Sequence, residues 1–232
     1  MTMNLFRSSL FAILFMTVLI ASGSIGYTDE EKTPEELEQL AIFDDAALLK
    51  GYAAKYEEEP KDVLLAMIND DTLDPYKMAG AVRVFREKYT NEVFAREKKI
   101  VEKYFLRRLN RTDSPFLQVE IMHTLALMDR YKYFDSMVPA LILKLDHYNT
   151  TLNTLAYDAL DDVIKKGNNR AREARIVFNT LRRVLFLSRK RLAEVTTPDD
   201  RLSQKLKLLR WSIKVLGTQE LNRLPNEVLN LL

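Results

Sequence analysis

The chain has no cysteine and only two histidines, His123 and His147, among its 232 residues. Without cysteine there is no disulfide framework, no thiolate metal site and no cysteine nucleophile, and two imidazoles fall short of a three-histidine centre. Glycine is scarce too, with six residues scattered along the sequence, too dispersed to cradle a phosphate in a glycine-rich loop. With seven prolines and no useful stretch of strand-like alternation, the sequence lacks the turn density of a β-sandwich. What remains is a chain with 47% hydrophobic and 29% charged residues, enough for a sizeable core and unlike a disordered tail. No Ser, His and Asp set suggests a hydrolase, no cofactor is implied and no small-molecule substrate is evident, so nothing points to an enzyme.

Only one long apolar run is present. Arg7 is the sole charge before Asp29, and it precedes the stretch from Leu10 to Ile20, which has the length of a signal-peptide core and is shorter than the roughly 20 residues that span a bilayer. The small residues from Ala21 to Gly26 offer a cleavage site after Gly23 or Gly26. Residues 1–26 are therefore expected to be a signal peptide, and the mature protein to be exported to the periplasm or envelope of a bacterium, where a cysteine-free chain fits well. The competing reading is an uncleaved anchor from Leu5 to Ile25, which would hold the folded part at the inner membrane.

Positive and negative charge are unevenly spread. From Tyr27 to Asp62 twelve acidic residues stand against four basic ones, whereas from Lys165 to Arg191 ten basic residues stand against Glu173 alone. The acidic stretch reads as a solvated linker with helical turns, Thr33-Pro34-Glu35-Glu36 being a helix start with acids in its first turn. This gives an acidic N-terminal segment over residues 27–70 and a helical domain over 71–232.

Helix starts are placed at Asp74-Pro75 and Ser114-Pro115, each a side-chain cap followed by proline at the first helical position. Met78, Ala81, Val82, Phe85 and Tyr89 repeat at helical spacing after the first, and Val119, Met122, Leu125 and Ala126 after the second. Partner helices follow over Val93 to Leu109 and from Phe134 to Tyr148. A third pair opens near Thr151, stops at Gly167 and continues into a long helix from Arg170 to Ala193, and Thr197-Pro198 starts a last helix closed by Gly217. Phe85, Leu125, Leu141, Leu160, Leu181 and Leu209 are expected to share one core.

Helix pairs recurring every 35 to 50 residues mark an α-solenoid. The run Ser114 to Met128, followed by Met137-Val-Pro-Ala-Leu-Ile-Leu-Lys-Leu-Asp146, resembles one HEAT repeat, and Asn149 to Leu160 resembles the first helix of the next. The resemblance covers about residues 70 to 217 and is closest over 114–167. It implies an all-α, right-handed α-solenoid of stacked antiparallel helix pairs, about 8–10 helices in all. It also implies a scaffold that binds other macromolecules, with no catalytic residue to carry over.

Two clusters merit weighing as metal sites. Glu120 and His123 have the Glu-x-x-His spacing that puts two ligands on one helical face, but a di-iron site needs a second such motif and further glutamates, and no second copy exists. A partly buried histidine bonded to a neighbour is the simpler expectation. Asp158, Asp161 and Asp162 lie within one turn, yet helices lack the loop carbonyls that calcium sites use, so no metal is assigned.

The long helix after Gly167 is more informative. At the helical period its apolar residues fall on one side, while Arg172, Arg175, Arg182, Arg183, Arg189 and Lys190 share the other, with Phe186 inside the cationic stripe. Such guanidinium groups bind carboxylates or phosphates bidentately, and these seven residues are the candidate binding site. A solvated face paired with Asp158, Asp161 and Asp162 of the preceding helix is the competing reading. Export removes nucleic acid from consideration. The expected function is a non-enzymatic scaffold in the cell envelope that binds a protein with an acidic surface, the alternative being a peripheral binder of anionic lipid and the third an enzyme built on the same scaffold.

Overall fold

The computed structural model describes residues 44–232 except residue 169, and the expectations about export and about the start of the acidic segment lie outside the described residues. Among the described residues every regular element is helical and no strand occurs. The elements are α1 (Asp45–Lys55), α2 (Lys61–Asn69), α3 (Pro75–Tyr89), α4 (Ala95–Leu109), α5 (Pro115–Met128), α6 (Arg130–Lys144), α7 (Thr150–Lys165), α8 (Arg170–Leu192) and α9 (Asp200–Leu216), then a 3-10 turn (Thr218–Arg223) and α10 (Asn226–Leu229).

Side-chain caps fix the starts. Asp74 accepts from the backbone N–H groups of Tyr76 and Lys77, Ser114 from Leu117 and Asn149 from Leu152, which satisfies donors that a helix N-terminus leaves free. The last long helix begins two residues later than Thr197-Pro198 suggests, because Asp199 rather than Thr197 supplies the cap, accepting from Leu202 N–H at 2.8 Å. Gly217 closes that helix with φ +107, a conformation that side-chain-bearing residues rarely adopt. Gly167 works differently. Its φ is not positive, and its role is steric, since a Cβ there would strike the Glu173 carboxylate and the Arg130 guanidinium.

Residues 45–69, read from charge as a solvated linker with helical turns, form two packed helices. Leu48, Leu49 and Tyr52 of α1 and Leu64 and Ile68 of α2 are buried, and both helices lie against α3. Asp62 is exposed on α2, as are Glu57 and Glu58 between the helices, while Asp45 is half-buried, so the charge run masked a period that the apolar residues carry.

The helices pack in two rows. In the odd row α1 lies on α3, α3 on α5 and α5 on α7; in the even row α2 lies on α4 and α6 on α8, while α2, α4 and α6 also touch the next odd helix. Helix α5 is the centre, with every residue from Val119 to Ala126 buried, as expected for a helix packed on all sides. Phe85, Leu125, Leu141, Leu160, Leu181 and Leu209 are all fully buried and belong to one continuous core. The odd row bends sharply. Asp45 at the start of α1 accepts from the Tyr76 hydroxyl at the start of α3 and from the Asn149 amide at the start of α7, each at 2.7 Å, so the N-terminal ends of these helices converge.

Ion pairs tie several helices to the one two places on. Lys61 reaches Glu97 at 3.0 Å, Lys98 reaches Asp129 at 2.9 Å and Arg130 reaches Glu173 at 2.8 Å. Lys132 pairs with Glu102, and Arg83 and Arg86 pair with Glu120. Several of these carboxylates are buried, which makes the pairs costly to break, because the group left behind would be an uncompensated charge.

Candidate functional site

The predicted binding stripe lies on α8, whose other side packs into the core through Ala174, Val177, Phe178, Leu181 and Leu185. The structure divides its cations into two groups. In the N-terminal half Arg172 pairs with Asp135 of α6 at 2.8 Å and lies 5.4 Å from the ring centre of Tyr131. Arg175 reaches Glu220 of the 3-10 turn at 2.6 Å, and Arg223 takes the other oxygen of that carboxylate at 2.8 Å. Hydrogen bonds from Arg175 and then Arg223 hold the Glu220 carboxyl below the usual range. These two arginines are structural.

In the C-terminal half Arg182, Arg183, Arg189 and Lys190 have no carboxylate partner among the described residues. They surround Phe186 at positions three and four residues before and after it, the spacing that brings helical side chains together. Arg189 lies over the Phe186 ring at 4.2 Å and donates to the Phe186 carbonyl at 3.1 Å. Phe186 is 49% exposed and Leu187, its neighbour, 77%. An apolar pair inside a ring of cations is unusual for a face that serves only solvation, since exposed aliphatic and aromatic side chains gain from being covered. The arrangement suits a ligand that brings carboxylates to the guanidinium groups and an apolar side chain to Phe186 and Leu187.

The acids considered as internal partners of the stripe are engaged elsewhere. Asp161 pairs with Lys165, and Asp162 pairs with Lys166 at 2.9 Å and with His123 at 2.9 Å. Burial and the adjacent Asp161 raise the Asp158 carboxyl above its ordinary value. Among the described residues none of the three forms an ion pair with α8. The carboxylates that do, Asp135 and Glu220, were not legible as partners, because they sit 37 and 45 residues from the arginines they meet. Leu187 and Tyr131 were also missed; the signal for Leu187 was its place on the polar side of the helical wheel.

The Glu-x-x-His pair serves packing. Glu120 is fully buried and takes Nε and Nη2 of Arg83 at 2.9 and 2.7 Å, with Arg86 on its second oxygen. Burial pushes the Glu120 carboxyl up, but Arg86 and Arg83 outweigh it and hold the group ionised below the usual range. His123 Nε2 donates to the Asp162 carboxylate, which can only accept, so the proton sits on that nitrogen. Burial, reinforced by Arg86, pushes the His123 imidazole down to about 4. Glu120 and His123 thus face different protein partners, and no group of three or more metal-ligating side chains exists among the described residues.

No protein-family model matches this chain, and neither a curated protein nor a solved structure shows similarity to it.

Proposed function

We propose that this chain is an exported, non-enzymatic helical-repeat scaffold of the bacterial cell envelope that captures a protein with an acidic surface through the C-terminal half of α8. The observation that carries the reading is the ring of Arg182, Arg183, Arg189 and Lys190 around the exposed Phe186, in which no cation meets a carboxylate among the described residues. Other basic side chains, such as Arg83, Arg130 and Lys205, instead pair with acids on neighbouring parts of the fold. The packing of α1 on α3, α3 on α5, α5 on α7, α2 on α4 and α6 on α8 supports a tightly curved HEAT-like solenoid as the frame. Ion pairs between residues 30 to 43 apart, as in Lys132–Glu102 and Arg130–Glu173, support a repeat of that length.

The test is binding of a fluorescent oligoglutamate peptide carrying one central leucine. The wild type should bind it with an affinity that falls steeply as salt rises, and the variant R182E/R183E/K190E should lose it. Anionic vesicles provide the second arm. A mutant that loses vesicles and keeps the peptide would replace this reading with a lipid surface, for which Phe186 and Leu187 would be the inserting side chains. N-terminal sequencing of the protein from envelope fractions tests export: a chain beginning between Ala21 and Tyr27 agrees, and one beginning at Met1 in membranes favours the anchor.

A further inference from the structure

Exposed large apolar side chains are not scattered evenly over the surface. Among the described residues Val63 belongs to α2, Phe94 caps α4, Ile100 lies on α4, Tyr131 and Leu143 on α6, and Phe186 and Leu187 on α8, so the even row carries them all apart from Tyr148. Within that row α4 repeats the chemistry of α8. Lys99, Ile100, Lys103 and Arg107 are exposed on one face of α4. A groove of about 430 Å³ runs beside them, lined by Lys99, Lys103, Leu106, Arg107, Glu102 and Lys132 together with Asn110. Its single carboxylate, Glu102, is already matched by Lys132, and Arg107 shares Asp71 at 3.6 Å with two other arginines. Lys99 and Lys103 have no carboxylate partner among the described residues.

We infer that this groove on α4 is a second acidic-peptide site, and that one extended acidic segment of the partner occupies it and the α8 site together. The inference rests on the reading of α8 given above. The occupant is set by charge: the unmatched groups are the ammonium groups of Lys99 and Lys103, with Arg107 sharing Asp71 among three arginines and with Ile100 and Leu106 nearby for an apolar side chain. The spacing follows from the staples. Glu102 meets Lys132, and α6 meets α8 through both Arg130–Glu173 and Asp135–Arg172, so Lys103 stands about level with residues 170 to 176 of α8, roughly 15 to 25 Å below Phe186 at 1.5 Å per residue. Two helix spacings across the row add roughly 20 Å. The two sites are then roughly 25 to 32 Å apart, a span of about seven to ten residues of extended chain.

The probe is a peptide with two oligoglutamate blocks joined by Gly-Ser spacers of graded length, measured by anisotropy beside the one-block peptide on the full exported chain. The expected result is a gain of about 10- to 100-fold for two blocks, greatest when the spacer just spans the gap and declining as it lengthens. K99E/K103E should return the two-block peptide to one-block affinity while keeping the wild-type melting temperature and one-block binding. If the gain is absent, or survives K99E/K103E, the second site is overturned and the α8 reading stands. If the one-block peptide fails on wild type, both fall. Vesicles containing anionic lipid are the control: a K99E/K103E variant that loses vesicles and keeps the two-block gain assigns the groove to a membrane and overturns the inference.

Discussion

The two halves of α8 carry the same residue type to different ends. Arg172 and Arg175 lie opposite carboxylates on neighbouring elements, whereas Arg182, Arg183, Arg189 and Lys190, further along the same face, surround an exposed phenylalanine. The difference arises from what packs alongside. The N-terminal half runs beside the start of α6, which supplies Asp135, and beside the 3-10 turn, which supplies Glu220; the C-terminal half extends beyond both. A cation's role in this fold is decided by the element that packs beside it, 37 or 45 residues away in sequence for Arg172 and Arg175, and charge density along the sequence carries no record of it.

The sharpest way to break the comparison is to attack the cations that hold helices together at their most buried carboxylate. Glu120→Ala leaves Arg83 and Arg86 without a counter-charge in the core, and a loss of about 3 to 5 kcal/mol is expected from urea melts. Leu181→Ala removes a fully buried side chain from the packed side of α8 and should cost about 2 to 5 kcal/mol. Neither change touches the ring around Phe186, so a Glu120→Ala protein that remains folded should bind the acidic peptide as the wild type does.

Acid provides a third test of the buried network. An unfolded histidine protonates near 6.5, whereas burial and then Arg86 keep His123 in the folded protein neutral down to about 4, against the opposing pull of Asp162 and Glu120. The unfolded state therefore binds the extra proton across that window, and stability present above about 6.5 is lost as the pH falls toward 4, by roughly 3 kcal/mol in total. His123→Asn should flatten the dependence of melting midpoint on pH between 6.5 and 5. A slope unchanged by the substitution would mean that other groups carry it.

Much of the fold is legible in the sequence, for reasons that particular residues display. Asp74-Pro75 and Ser114-Pro115 are local signals, and a cap needs only the three residues that follow it. The apolar period of α3, α5 and α7 likewise identifies Phe85, Leu125 and Leu160 as core. Helices α1 and α2 were hidden because the acids of the charge run lie mostly outside them, in the sequence before α1 and at Glu57, Glu58 and Glu59 between the two, while the helices themselves carry only Asp45 and Asp62. Of the binding stripe, the sequence shows its face and the aromatic within it. Which arginines are engaged depends on tertiary register, as with Asp135 and Glu220, and on steric detail such as the bare Cα of Gly167 beside Glu173. Gly167→Ala should accordingly force the Arg130–Glu173 pair aside and cost about 1 to 3 kcal/mol, with peptide binding unchanged.

The smallest stability effects and the largest binding effects should coincide at the far end of α8. Reversing Arg182 or Arg183 singly should alter stability by no more than about 0.5 kcal/mol, since neither meets a carboxylate among the described residues. A reversal that mixed Arg175 with Arg182 and Arg189 would confound the two groups, because it frees Glu220 as well as emptying the ring.

The most direct measurement is therefore a paired one, thermal melts and oligoglutamate binding on R172E/R175E and on R182E/R183E/K190E. The account predicts that the first variant melts lower and still binds, whereas the second melts as the wild type does and no longer binds. A second variant that unfolds, or that folds and holds the peptide as tightly as the wild type, would contradict it.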